Sequence, residues 1–481
     1  MFQDTLSSSD LINTINGNLT VELRNADTGR LEEKQETHNF ISQSGIRYIK
    51  WLQRANYFKD QVSVLNTPVD TDFAPINPFA TIVLTSSTKT PDSANEGIFD
   101  GKLIGYAAKS VYNGADTLRG TPNVALSQAT STYTRWVFDW ATNAANGTIG
   151  SVGWSYQGDT FILTSNNDSR FSSNASIEDI KSTSVPGIIR IARVSGSQYF
   201  GIGGASNASV LTLDTNFTQT ASFTPSSQFK ASTALTGITW DYNNNKLWVL
   251  GVNSSNLAIM ASYSTSGTLI DGPVTVTNRT YSDIAFAGTN LWLLGNIINT
   301  INNYTYMSGG FTAYEVSPTG TDVSNFNATF PKAYPVVNSN YTSRGEDAYS
   351  IAYEATSQRL YVATTSSFTT GGYIYPNSSD TTSPTSNIRV YTTAGVEACV
   401  PTNLNAWNRL TGTRLGLPNA VSGSLPGGID LINANQVLMS SVGNGIYRLS
   451  MDGMGSRAKL GSTITKTNLQ TLRITYQMDY T

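Results

Sequence analysis

Histidine and cysteine are almost missing from this sequence, which holds one of each, His38 and Cys399, in 481 residues. A Ser-His-Asp or Cys-His relay would have to use His38, and no G-x-S-x-G nucleophile turn accompanies it. His38 reads better as a loop or capping residue. The usual zinc sites need several His and Cys ligands and are excluded. One cysteine cannot close an intrachain disulfide, which agrees with a reducing compartment. Within Glu397-Ala398-Cys399-Val400 it reads as a small buried hydrophobe rather than a reactive thiol.

Charge is the second shortage. Charged residues make up 13% of the chain, against about a quarter in an ordinary soluble domain. Ser, Thr, Asn and Gly fill the gaps between short apolar stretches instead, so the surface is one of neutral hydrogen-bonding groups. With 39% hydrophobic and 10% aromatic residues, the chain is too apolar to stay disordered. The net charge is −3 and no Lys/Arg run occurs, so the electrostatic footprint of nucleic-acid binding is missing. No apolar run reaches the roughly 18 residues of a membrane helix. The N-terminus lacks the basic segment and apolar core of an export signal. The expectation is a protein made and kept in a cytosol, and the Asn-x-Ser/Thr sequons at Asn207, Asn253, Asn278 and Asn340 then carry no weight.

Catalytic motifs are scarce as well. Asp70-Thr71-Asp72 is the nearest local carboxylate pair and reads as a solvated loop. Gly201-Ile202-Gly203-Gly204 has no phosphate-loop lysine and reads as a bend between strands. No D-x-D-x-D-G calcium loop occurs. The expectation is a protein that is not an enzyme and takes no cofactor and no metal. Trp136, Trp140, Trp240, Trp248 and Trp292 sit among apolar neighbours in strands and read as core. Trp407, in Asn405-Ala406-Trp407-Asn408, reads as part of a long polar loop and is the one weak ligand-binding candidate.

What is present is β texture. Leu19, Val21 and Leu23 alternate before an Asn25-Ala26-Asp27-Thr28-Gly29 turn and a polar return strand. Helical spacing of Ile46, Ile49 and Leu52 predicts one short helix over 41–55. Strands follow near 81–85 and 101–109, and 133–140 with 147–154 forms a hairpin with an apolar face. From about 155 a quasi-repeat begins: strand, tight polar turn, strand. It is seen in Gly237-Ile238-Thr239-Trp240 with Leu247-Trp248-Val249-Leu250, and in Ser282-Asp283-Ile284-Ala285 with Leu291-Trp292-Leu293-Leu294. Ser350-Ile351-Ala352-Tyr353 with Leu360-Tyr361-Val362-Ala363, and Gly428-Ile429-Asp430-Leu431 with Val437-Leu438-Met439, repeat it. A third strand follows each, and a weaker copy lies at 193–215. The shorter spacings fit the 40 to 50 residues of a propeller blade. No unit can bury both faces of its sheet alone, and radial packing solves this. The reading is a β-propeller of about five blades, or six if 156–190 hold a degenerate blade. A β-sandwich of meandering hairpins is the alternative.

The C-terminus returns to the texture of the N-terminus, with Leu472, Ile474, Tyr476, Met478 and Tyr480 alternating. The organisation expected is a discontinuous β-sandwich-like framework, residues 1–155 completed by a C-terminal strand in 454–481, with the propeller-like insertion at 156–453. Three stretches carry a resemblance: Val21-Glu22-Leu23 to Asn39, Arg135-Trp136-Val137-Phe138-Asp139-Trp140 through Asn146-Gly147-Thr148-Ile149, and Thr465-Lys466-Thr467 to Leu472-Arg473-Ile474-Thr475-Tyr476. Together they resemble the framework of structural proteins of tailed bacteriophage virions. The resemblance implies a non-enzymatic tail component (nozzle, adaptor, baseplate or fibre), in the virion, forming a symmetric homo-oligomer with other virion proteins. The propeller would face outward or line a channel. The alternative is a receptor-binding protein whose propeller recognises host cell-surface glycan.

Overall fold

The structure is a computed structural model, and it describes residues 15–41, 81–91, 97–155, 173–181, 187–203, 208–230, 235–277, 279, 281–301, 304–329, 341–370, 373–375, 386–408, 426–441, 445–451 and 454–480. Among these residues every regular element is a strand, numbered β1 to β32 in chain order. The helix expected over 41–55 and the Asp70-Thr71-Asp72 pair lie outside them, save Ile41 at the end of a two-residue strand.

Two sheets make a sandwich from the two ends of the chain. The first has the order β2 (Leu31–His38), β1 (Ile15–Asn25), β32 (Gln470–Tyr480), β8 (Tyr133–Trp140), β6 (Thr121–Pro122), with β7 (Gln128–Ala129) also on β8. The second has the order β3 (Phe40–Ile41), β31 (Met454–Lys466), β9 (Gly147–Ser155), β4 (Thr81–Thr85), β5 (Leu103–Ala108). The alternation in β32 explains its place: Leu472, Ile474, Tyr476 and Met478 are buried, and the residues between them are half-exposed. They share one core with Val21 of β1, Trp140 of β8, Trp154 of β9 and Ile464 of β31. The C-terminal segment thus supplies two strands rather than one, one to each sheet. The intervening chain leaves at Ser155 and returns at Met454, and these two residues are cross-strand partners.

That intervening chain forms five blades. Blade 1 is β11 (Arg190–Arg193), β12 (Tyr199–Gly203), β13 (Ser209–Leu213) and β14 (Gln219–Phe223). Blade 2 is β15 (Gly237–Asp241), β16 (Lys246–Val252), β17 (Ala258–Tyr263) and β18 (Leu269–Thr275). Blade 3 is β19 (Tyr281–Ala287), β20 (Asn290–Ile301), β21 (Tyr304–Val316) and β22 (Asp322–Thr329). Blade 4 is β23 (Tyr341–Glu354), β24 (Arg359–Thr370), β26 (Ser386–Thr392) and β27 (Thr402–Asn408), with β25 (Tyr373–Tyr375) beside β24. Blade 5 is β28 (Pro426–Asn433), β29 (Gln436–Ser441), β30 (Gly445–Ser450) and, as its outer strand, β10 (Ser173–Lys181) from upstream of blade 1. The segment 156–190 therefore holds no sixth blade among its described residues: its strand β10 completes the fifth. Parallel pairing of β10 with β27 joins blades 4 and 5 into one sheet.

Five hydrophobic cores, one at each junction, close the ring. Blades 1 and 2 meet through Phe200 and Ile202 against Leu247 and Val249. Blades 2 and 3 meet through Trp248 and Leu250 against Leu291 and Leu293. Trp292 and Leu294 face Leu360 and Val362, Tyr361 and Ala363 face Val437 and Met439, and Leu438 returns to Tyr199 and Leu211 of blade 1. Runs such as Leu247-Trp248-Val249-Leu250 are apolar at every position because alternate residues enter different junctions. Full burial of each such side chain contributes roughly 1.5 to 3 kcal/mol. Gly201 and Gly203, expected at a bend, lie inside β12. A Cβ on Gly203 would come 2.8 Å from the Leu211 side chain, so close packing, not bending, accounts for it.

Candidate functional site

The inner strands β11, β15, β19, β23 and β28 lie against one another around the axis. An inner-edge strand has backbone N–H groups with no strand beside them. Here side chains of one blade accept from the next: Thr239 Oγ1 from Phe286 N at 3.0 Å, and Asp283 Oδ2 from Ile351 N at 3.1 Å. Ser350 Oγ accepts from Ile429 N at 2.9 Å, and Asp430 Oδ2 from Arg193 N. One position repeats in every blade, just before an isoleucine: Arg190, Gly237, Asp283, Ser350 and Gly428. Arg190 fills the axis from it. Its Nη2 donates to Ser282 O (2.8 Å) and Tyr349 O (3.0 Å), its Nη1 to Ile189 O (2.7 Å), and its Nε lies 3.5 Å from Asp283 Oδ1. The two glycines make the room. A Cβ on Gly428 would sit 2.7 Å from Arg190 Cδ, and one on Gly237 2.9 Å from Asp283 Oδ1.

Both axial carboxylates are occupied by the protein itself. Asp283 accepts from Ile284 N, Ile351 N and the Ser350 hydroxyl. Asp430 accepts from Leu431 N and Arg193 N. Burial pushes each up to about 6, against the pull of Arg190 on Asp283 and of the backbone N–H donors on Asp430. Free in the unfolded chain, these groups titrate near 4, so the folded chain retains their protons between about pH 4 and 6. Their contribution to stability is full below that window and is lost as pH rises through 6. Urea unfolding of the wild type and of Asp430→Asn from pH 4 to 8 checks this. The wild type should lose stability relative to the variant as pH rises, and parallel profiles would refute it.

A second buried polar site joins propeller to sandwich. Arg359 Nη2 of blade 4 pairs with Asp100 Oδ1 at 2.7 Å, and Asp100 Oδ2 accepts from Ser87 Oγ at 2.6 Å. Arg457 of β31, 1% exposed, donates to Ser87 Oγ (3.1 Å), Ser151 Oγ (3.2 Å) and Lys89 O (2.9 Å). Beside this relay the backbones pair directly, Gly101 N to Ala398 O and Val400 N to Phe99 O. Cys399 lies here, fully buried, its sulfur accepting from Arg359 Nη1 at 3.3 Å, and burial pushes the thiol up to about 12. It is not poised as a nucleophile.

The three stretches singled out in the sequence meet in the sandwich. Lys466 Nζ, 1% exposed, donates to Thr142 O (3.1 Å) and Asn146 Oδ1 (2.8 Å) in the turn before β9. Arg473 grips Asp139 through Nε (2.7 Å) and Nη2 (3.0 Å). Asn39 Nδ2 donates to the Tyr476 hydroxyl at 2.6 Å. His38 is exposed at the end of β2. Trp407 lies in strand β27, in register with Ser176 of β10, and not in a loop. The strand forms because β10 supplies a partner from more than 200 residues upstream. Among the described residues no group of three His, Cys, Asp or Glu could hold a metal ion, and no helix is long and apolar enough to cross a membrane. Arg190, Asp283 and Asp430 escaped notice as a site. The signal for Arg190 and Asp283 was a charged residue aligned with Gly or Ser in the other repeats, and for Asp430 a carboxylate aligned with Ala or Thr.

Fold and sites together define a five-bladed propeller carried between two strands of a sandwich. No family model matches the chain, and no curated protein matches its sequence. Among solved structures, the chain is similar to the WD40 propeller domain of Doa1, at 9% identity over 58% of this chain and 97% of that one, with a TM-score of 0.26. It is similar to the WD40 repeats of RRP9 at 8% identity, over 58% and 99%, TM-score 0.28. It is similar to a GH43_1 enzyme from Xanthomonas citri at 9% identity, over 58% and 90%, TM-score 0.34. Likeness at this level carries no activity across, and the propeller is read from its own five junctions.

Proposed function

We propose that the protein is a non-enzymatic structural component of a bacteriophage virion, in the tail as nozzle, adaptor, baseplate or fibre, assembling as a symmetric homo-oligomer with other virion proteins. The observation that carries this reading is the mutual contact of the resembling stretches: Lys466 with the 142–146 turn, Arg473 with Asp139, and Tyr476 with Asn39. They form one self-consistent framework from both ends of the chain. The propeller hangs from it at Ser155 and Met454, so an inserted body is presented without disturbing the framework. The axial carboxylates serve neighbouring blades, which supports a structural part rather than a reactive centre. A closed ring reuses one interface at every subunit, so modest contacts suffice. Sedimentation of the purified full chain over a hundredfold concentration range tests the reading. A single closed oligomer is expected, and a monomer throughout would contradict it.

A further inference from the structure

Lys466 is a buried cation with no anion beside it. It is 1% exposed, and its ammonium is held by neutral oxygens alone: Asn146 Oδ1 (2.8 Å), Thr142 O (3.1 Å) and Thr467 O (3.4 Å). Burial pushes the amine down to about 8, so in neutral solution it still donates as a cation. A charge taken out of water without a counter-charge is costly. Two of the three partners are backbone carbonyls, and only the Asn146 carboxamide is one hydrolysis away from a carboxylate. Asn146 is exposed, so water reaches it. Gly147 follows it, opens β9 at a φ of +147° and stands in register with Lys466 itself. Having no Cβ, a glycine leaves its own nitrogen the least hindered approach to the side chain before it.

We propose that Asn146 is a site of spontaneous conversion to aspartate, with Lys466 promoting the reaction and then taking the product as its counter-ion. Gly147 N, giving its proton to solvent, bonds to Asn146 Cγ. Negative charge gathers on Oδ1 as that bond forms, and Lys466 Nζ already donates there, as a donor in an oxyanion hole does. The Cγ–Nδ2 bond then breaks, Nδ2 takes up a proton from water and leaves as ammonia, and a five-membered cyclic imide remains. Water opens the imide. Attack at Cγ breaks its bond to Gly147 N and gives aspartate on an unaltered backbone. Attack at the Asn146 backbone carbonyl gives isoaspartate, which inserts a methylene into the main chain between the 142–146 turn and β9. Lys466 favours the first route twice over: it polarises Cγ, and its pairing with Gly147 across β31 and β9 fixes the backbone that isoaspartate would displace. One carboxamide and one water become one carboxylate and one ammonium ion, and no other reagent enters.

The test is peptide mapping by mass spectrometry of the purified full chain held in warm neutral buffer, with aspartyl and isoaspartyl products separated. Asn113-Gly114, an exposed pair of the same type in the loop before β6, is the internal reference. Asn146 should convert at least as fast as Asn113 and give mainly aspartate, whereas the same chain unfolded in urea should give mainly isoaspartate at both sites. Lys466→Met should slow conversion at Asn146 about tenfold or more, as loss of an oxyanion donor does, and leave Asn113 unchanged. Asn146→Asp, which builds the product directly, should raise the thermal midpoint of the sandwich by about 3 °C, since a charge-assisted pair replaces a neutral acceptor. Should Lys466→Met fail to fold, the wild type and Asn146→Asp decide between them. Asn146 intact after Asn113 has converted, isoaspartate as the main product at 146 in the folded chain, or an undiminished rate in folded Lys466→Met would each overturn the proposal. So would a lowered midpoint in Asn146→Asp, or a cross-linked Lys466–Asn146 peptide, which would mark attack by Nζ in place of Gly147 N.

Discussion

Replacing Arg190 by methionine is expected to lower the thermal midpoint of the propeller by about 10 °C. Removing one partner of a buried ion pair costs roughly 3 to 5 kcal/mol because the other charge is stranded. In a body of this size each kcal/mol is worth about 2 to 4 °C. Asp283 would be left buried with hydrogen bonds but no cation, and Ser282 O and Tyr349 O would lose their donor. Adding Asp283→Asn removes the stranded charge while keeping an acceptor for Ile351 N, so the double variant should regain a large part of the loss. Differential scanning calorimetry of the two variants measures this. A single variant as stable as the wild type would show that the axis is held by the junction cores alone.

Arg457→Ala carries the second large effect. The side chain is buried and bridges Ser87, Ser151 and Lys89 at the foot of the Asp100–Arg359 pair. Its loss empties a site the size of a guanidinium and leaves three acceptors without their donor, at a cost of about 3 to 5 kcal/mol. The damage falls on the joint, so calorimetry should resolve a sandwich transition moving to lower temperature away from the propeller transition. One unsplit transition at the wild-type midpoint would show that the relay contributes nothing to the coupling.

The central and inner strands of the blades were legible because burial in two junctions leaves a continuous apolar run, as at Leu291-Trp292-Leu293-Leu294. The outer strands were not. Gln219–Phe223 and Asp322–Thr329 are mostly exposed, so a polar stretch forms strand only because the third strand of its blade offers an edge. Closure by β10 depends on a partner more than 200 residues away, which no local pattern records. Arg and Lys are almost never fully buried unless paired, yet Arg457 and Lys466 are each 1% exposed. Their carbonyl and hydroxyl partners come from other segments. Trp407 was misplaced in a loop for the same non-local reason.

The axial site was the least legible part. Arginine before Ile191 is no motif on its own. It gains meaning only when five blades bring Gly237, Asp283, Ser350 and Gly428 to the same height around one axis. Gly428 leaves room there for the arginine side chain, and Gly237 leaves room for Asp283.

Cryo-electron microscopy of the assembled full chain tests the central proposal most directly. It predicts a closed symmetric ring in which the sandwiches of adjacent subunits touch and the propellers do not hold the ring together. Particles that contain one chain, or rings held by the propellers with the sandwiches apart, would contradict it.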